Sequence, residues 1–395
     1  MVESGPEPVG GTRAFLPAVE GMRACAAMAV VVTHVALQTG HSGGITGRLL
    51  GRLDLAVAVF FALSGFLLWR GHAAAAHGLR ARPATGPYLR SRFVRIVPAY
   101  LVTVIVVLTL LPDAHGSSLS VWLANLTLTQ DYIPRALTPG LTQMWSLSVE
   151  MTFYLALPLL ALTARWLPAR ARVPAIAAVA LASFGWGYLP IPSVNGANPL
   201  NWAPAYASWF GTGMLLAEWM CRPLGWMHWL ARRRVLLAVI AVTAYLIAAS
   251  PLAMARHLTH ATVEQFVVYT AMGAVIAGAL LAPLVLDRPS ARHRVLGSVP
   301  MVTLGRWSYG LFIWHLAALD MVFPVVGRYA FTGDFPIVLV LTSLFGFAIA
   351  AVSYALVEAP CRAALRRWEF RGNLPMLPLD SSATTASPPT PTRAA

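Results

Sequence analysis

The chain has 395 residues, of which 57% are hydrophobic and 11% charged, with a mean hydropathy of +0.65. A soluble domain carries about 25% charged residues, so the composition excludes an ordinary water-soluble fold and leaves room for roughly ten membrane spans of ~20 residues. The net charge of +14 comes entirely from arginine, as no lysine occurs, and the arginines lie between apolar runs; that placement argues against nucleic acid and for topology signals plus local anion sites.

Taken in chain order, residues 1–12 are polar, lack the apolar core of a signal peptide, and are expected to be disordered. Apolar runs predict spans near 19–39, 54–70, 96–112, 147–165, 173–190, 202–219, 235–252, 264–286, 302–325 and 335–357. The expected fold is all-α and polytopic, with about ten transmembrane helices in one membrane domain over 13–372. Residues 373–395, rich in Pro, Ser, Thr and Ala, predict a disordered tail. Neither an internal repeat nor a second soluble domain is evident.

Arginine counts in alternate connections test that order. One set clusters at 70–95, 165–172, 222–234, 288–294 and 362–371; the other holds only Arg48, Arg52, Arg135, Arg256 and Arg328. The rule that cytoplasmic loops carry the excess of positive charge makes the first set cytoplasmic, and ten spans then place both termini there. An arginine- and alanine-rich, lysine-free chain suits a GC-rich bacterial genome, hence a bacterial inner (plasma) membrane. Cys25, Cys221 and Cys361 lie far apart with no metal spacing and read as packing residues.

Several polar residues interrupt the apolar runs. The first span reads Glu20-Gly-Met-Arg23 and, eleven residues on, His34. At ~100° per residue that is about three turns, so both lie on one face, ~16 Å apart along the axis. Ionisable side chains inside a span are costly and mark function by default, although an arginine at a helix end can simply snorkel to the headgroups. Arg92 and Arg95 are one turn apart before the third span. Glu150 opens the fourth, after Trp145. Tyr309 and His315 share the ninth, and Glu358 closes the tenth.

In sequence order these segments resemble the acyltransferase-3 family of membrane O-acyltransferases. The resemblance rests on the Arg23-x10-His34 first helix and on Phe60-Phe-Ala-Leu-Ser64-Gly65-Phe66-Leu. It continues in Arg92-Phe-Val-Arg95-Ile-Val-Pro98-Ala-Tyr100 and Trp145-Ser-Leu-Ser148-Val-Glu150-Met-Thr-Phe153-Tyr154. Ser308-Tyr309 through His315 and Tyr354-Ala-Leu-Val-Glu358-Ala-Pro360 complete it. The matches run from residue 13 to about 362. Two departures stand out: Val19-Glu20-Gly21-Met22 replaces the usual Leu-Asp-Gly-Leu, and Met151-Thr152 follow Glu150 where many members have a second acid or Gln.

The resemblance implies transfer of an acyl group, acetyl or short-chain, from acyl-CoA to a hydroxyl of a carbohydrate, cell-envelope glycan or glycosylated natural product. Acyl-CoA would be a co-substrate, with no resident cofactor and no metal. Such transfer needs a base or nucleophile, a hold on the thioester and stabilisation of the oxyanion. His34 is the expected base or acyl carrier, because imidazole titrates closest to working pH. Arg23, Arg92 and Arg95 are expected to hold the polyanionic donor, with Glu150 as a second catalytic candidate. His315, Tyr309, Trp145 and Glu358 are candidates for substrate binding, and Glu358 equally for an ion pair with arginine. Ser64-Gly65 reads as a helix-packing pair rather than a nucleophile. The mechanism requires a path from His34 to Arg23 and the basic loop. The competing class is a transporter or exporter, which also uses intramembrane His and Glu but more often shows internal repeats.

Overall fold

A computed structural model describes residues 16–191, 198–222, 225–253, 262–287 and 293–372. The tails expected at 1–12 and 373–395, together with Arg256, Arg288 and Arg292, lie outside the described residues, as does the side chain of Arg371. Every regular element among the described residues is helical. The order is α1 Pro17–Gln38, α2 Gly44–Gly51, α3 Ala56–Ala76, α4 Thr85–Leu110, α5 Leu119–Leu126, α6 Trp145–Thr163 and α7 Ala169–Ala182. Then come α8 Ala207–Cys221, α9 Gly225–Arg232, α10 Arg234–Ala248, α11 Val263–Val285, α12 Val299–Val326, α13 Phe335–Ser353 and α14 Ala359–Gly372.

Among the described residues, seven helical stretches are long and apolar enough to cross a membrane: Pro17–Gln38, Gly44–Ala76, Thr85–Leu110, Thr142–Trp166, Val263–Val285, Val299–Val326 and Phe335–Glu369. The spans expected at 173–190, 202–219 and 235–252 fall on shorter helices, of 14, 15 and 15 residues for α7, α8 and α10. Fifteen residues rise only ~22 Å against a hydrocarbon core of ~30 Å. The apolar run near 173–190 is split because α7 gives way at Ser183 to 3₁₀ turns through Tyr188, a stretch holding Gly185 and Gly187. Pro204 sits in a 3₁₀ turn, Ala203–Tyr206, that delays the start of α8.

Helix α1 packs on α12, α12 on α13, and α3 on α8. The α3–α8 contact is a backbone approach. A Cβ on Gly65 would fall 2.2 Å from the Phe210 carbonyl oxygen, and one on Gly213 1.8 Å from that of Ala62. Both positions therefore require glycine, in keeping with the packing role expected for Ser64-Gly65. Beside this contact lies a buried ion pair. Arg172 Nε donates to Glu218 at 2.8 Å, Trp69 Nε1 donates to the same carboxylate at 2.7 Å, and the Arg172 guanidinium lies 5.1 Å from the Trp69 ring centroid. Arg172, counted in sequence as a loop charge, thus lies inside the protein, paired with Glu218.

Candidate active site

Helices α1, α3, α4, α6 and α12 enclose a narrow cleft of about 70 Å³. Its wall carries Arg23 from α1, Ser64 from α3, Arg92 and Arg95 from α4, Glu150 and Tyr154 from α6, and Tyr309 and Phe312 from α12. The motif spacings explain why these side chains converge. Arg92 and Arg95 share a face of α4 one turn apart, and Glu150 and Tyr154 share a face of α6 at i, i+4.

The cleft is electropositive with one acid at its centre. Ser64 Oγ and Tyr154 Oη both donate to Glu150 Oε1, so the carboxylate is held by two hydroxyls rather than neutralised by a close arginine. Arg23 Nη1 lies 4.0 Å from Glu20. The Nε groups of Arg23 and Arg92 are buried without a hydrogen-bond partner. Unsatisfied buried guanidinium donors are costly, and three arginines around one carboxylate leave an excess of positive charge suited to a phosphate-bearing or carbonyl ligand. Tyr309 Oη donates to the Ile96 carbonyl at 2.8 Å, tying α12 to α4 at the cleft wall.

His34 lies outside the cleft lining. Its ring sits 4.9 Å from the ring of His315, which is fully buried. The link to the cleft is aromatic: Phe312 lies 5.9 Å from His315 and 6.0 Å from Phe60, and both phenylalanines line the cleft. The Phe60–Phe312 pair therefore stands between the cleft lining and the His315–His34 pair, and His34 itself is not among the residues that line the cleft. His34 is half-buried, with one side of its ring against His315.

The hydrogen bonds assign the protons of the imidazole pair. His315 Nδ1 lies 2.7 Å from the Phe312 carbonyl, a distance that requires an N–H donor. A neutral His315 then has a bare Nε2. That atom lies 3.2 Å from His34 Nδ1, which is also 2.9 Å from the Val30 carbonyl. Two acceptors around His34 Nδ1 place its proton there and leave Nε2 of His34 unprotonated.

The remaining expected residues fall nearby or elsewhere. Trp145 is not in the cleft wall; it packs 5.1 Å from Tyr206 and 6.3 Å from Phe61 in an aromatic cluster. Glu358 ends a π-helical turn, Tyr354–Glu358, is 1% exposed, and pairs with Arg362 at 2.9 Å. The extra residue of such a turn rotates the following chain by about 100°, and here Glu358 is buried while Leu356 faces outward. The partnership of Ser64 and Tyr154 with Glu150 was not foreseen. The signal was present: a hydroxyl in a span and an acid in another each need a partner in lipid.

This arrangement is that of a polytopic membrane protein with an anion-attracting cleft set beside an imidazole pair. The acyltransferase domain of the acyltransferase-3 family matches residues 16–356, and the chain belongs to that family and is an acyltransferase. It is 29% identical over 331 residues to the acyltransferase MdmB of Streptomyces mycarofaciens, covering 77% of this chain and 79% of that protein. It is 25% identical over 369 residues to the O-acetyltransferase OatA of Staphylococcus aureus, with 88% of this chain and 57% of that one covered. The peptidoglycan O-acetyltransferase OatA of Listeria monocytogenes is 23% identical over 372 residues, with 89% and 56% covered. The chain thus spans little more than half the length of the OatA proteins. No solved structure matches it significantly.

Proposed function

We propose that the chain transfers an acetyl or short acyl group from acyl-CoA to a hydroxyl of a carbohydrate, cell-envelope glycan or glycosylated natural product, in a bacterial membrane crossed by about ten helical segments. The observation that carries this reading is the convergence of Arg23, Arg92 and Arg95 with Glu150 in one cleft whose wall residue Phe312 lies beside His315, itself beside His34. The names of the relatives, acyltransferase and O-acetyltransferase, support the reaction class and a glycan-type acceptor.

Acyl-CoA enters from the arginine-rich face. Its phosphates meet Arg92 and Arg95, while the thioester reaches up the cleft toward Phe312. The cleft is narrow, so an unbranched pantetheine arm needs less opening than a sugar ring. Rotation of Phe60 and Phe312 brings the thioester to His34. The bare Nε2 of His34 takes the proton of the acceptor hydroxyl as its oxygen attacks the thioester carbonyl; the collapsing intermediate expels CoA thiolate, which receives that proton. If Nε2 attacks first, the thioester C–S bond breaks, CoA leaves as thiolate and an acyl-imidazole remains; the acceptor oxygen then attacks the acyl carbon, its proton passes to the thiolate, and the C–Nε2 bond breaks to restore His34. Either course builds positive charge on His34, and its Nδ1–H donates that charge into His315 Nε2. Arg23 and the Glu150-bound hydroxyls of Ser64 and Tyr154 position the donor.

The test uses purified protein in proteoliposomes with acyl-labelled CoA and a carbohydrate acceptor. Label on the acceptor hydroxyl supports the reading; movement of acceptor across the bilayer without label would make the chain a carrier. Label retained on His34 after incubation with donor alone, and released by hydroxylamine, selects the acyl-histidine course.

A further inference from the structure

Two further cavities flank α6 and α7, separate from the donor cleft. One, of about 330 Å³, has a basic wall that includes His72, Arg82, Arg165 and Arg172. The other, of about 420 Å³, runs between α6, α7 and α8 and is almost wholly apolar, with Phe153, Ala156, Leu160, Ile176, Val179 and Met214 among its wall. The two share Ala164, Leu167 and Arg172, so the basic cavity and the apolar groove adjoin along one common wall.

Arg172 supplies the decisive detail. It is 4% exposed; Nε is spent on Glu218 and Nη1 donates to the Ala164 carbonyl at 3.2 Å, but Nη2 is buried without a partner. A buried cationic donor left unpaired is costly, and here it belongs to the side chain common to both cavities. Arg82 and Arg165 are exposed and have no carboxylate partner among the described residues. Three guanidinium groups with a single acid, Glu218, among them favour a phosphate. The groove has a matching length. Along α6 its wall runs from Thr152 to Thr163, ~16 Å at ~1.5 Å per residue, which is about half of a ~30 Å hydrocarbon core and so one leaflet.

We propose that these cavities form one binding site for an anionic phospholipid of the arginine-rich face. Its phosphate lies among Arg82, Arg165 and Arg172, and one acyl chain fills the groove between α6, α7 and α8. The lipid completes the hydrogen bonding of Arg172 and packs the short helices α7 and α8 against α6. This assignment is independent of the acyl-transfer reading.

Native mass spectrometry of the full chain in mild detergent, with phosphatidylglycerol or phosphatidylcholine added, tests it. The wild type should retain phosphatidylglycerol preferentially. Arg82→Ala/Arg165→Ala, which alters exposed residues only, should lower that retention roughly 10- to 30-fold, since each arginine near an anionic headgroup contributes about a factor of five. Ala156→Phe, which fills the groove and leaves the arginines in place, should lower it too. Equal retention of the two lipids, or retention unchanged in both variants, would mean an ordinary annular lipid and overturn the proposal. Displacement of phosphatidylglycerol by stoichiometric CoA would also overturn it, by giving the arginines to the donor's phosphates.

Discussion

Replacing His315 separates the orientation of His34 from its charge. In His315→Ala, His34 Nδ1 keeps the Val30 carbonyl at 2.9 Å, so the tautomer with a bare Nε2 survives. What is lost is the 3.2 Å acceptor that shares the charge building on His34 during transfer. A hydrogen bond to a charged group is worth about 1.5–3 kcal/mol. At about 1.4 kcal/mol per tenfold in rate, the variant should lose roughly 10- to 150-fold in kcat. KM for acyl-CoA should not move, because the arginines of the cleft are untouched. His315→Gln restores an acceptor oxygen and should recover much of the rate. The assay is label transfer from acyl-CoA to acceptor in proteoliposomes, with insertion checked by protease accessibility. A His315→Ala variant at the wild-type rate, or a Gln variant as slow as Ala in correctly inserted protein, would refute the reasoning.

Other outcomes follow from the same structure. Arg92→Ala should raise KM for acyl-CoA about 10-fold or more while lowering kcat less, as expected for loss of a charge-assisted phosphate contact; an unchanged KM would put CoA elsewhere. Gly213→Val drives side-chain atoms into the Ala62 carbonyl, where even a Cβ would lie 1.8 Å away, and should destabilise the protein by roughly 3 kcal/mol or more, read as a lower thermal midpoint in detergent. Asp131 lies in the connection between α5 and α6, with both carboxylate oxygens buried; burial, only partly offset by the nearby Ser148 hydroxyl, pushes its pKa up to about 7. The folded state then holds a proton that an unfolded chain releases near pH ~4. This group's contribution to stability is therefore greatest in acid and is lost as pH rises toward about 7. The thermal midpoint of the wild type should fall between pH 5 and 8 more than that of Asp131→Asn; equal slopes would contradict this.

The sequence reveals some levels of this structure more readily than others. Hydropathy marks where helices occur, because lipid demands apolar side chains over the whole span. It does not report the 3₁₀ turns at Ser183–Tyr188 or Ala203–Tyr206, which shorten α7 and α8 without changing composition. The site follows the same division. Arg23, Arg92, Arg95 and Glu150 are legible as charges that lipid would not tolerate without a purpose, and they do meet in one cleft. His34 and His315 are legible singly, but their contact across 281 residues is a matter of how α1 packs on α12. The Phe60–Phe312 pair between the cleft lining and the histidines is not legible for a different reason: phenylalanine in a span looks the same whether it packs a core or lines a cleft. Arg172 and Glu218 mislead in sequence, one resembling a loop charge and the other standing alone in an apolar run, until the fold places them 2.8 Å apart.

The most direct measurement is acyl transfer by His34→Ala in proteoliposomes, compared with wild type at equal insertion. The variant removes the bare Nε2 and leaves the arginine cleft intact. It should still bind acyl-CoA with wild-type affinity while transfer to the hydroxyl falls to the uncatalysed background. Transfer at or near the wild-type rate would show that the chemistry takes place without His34 and would contradict the account.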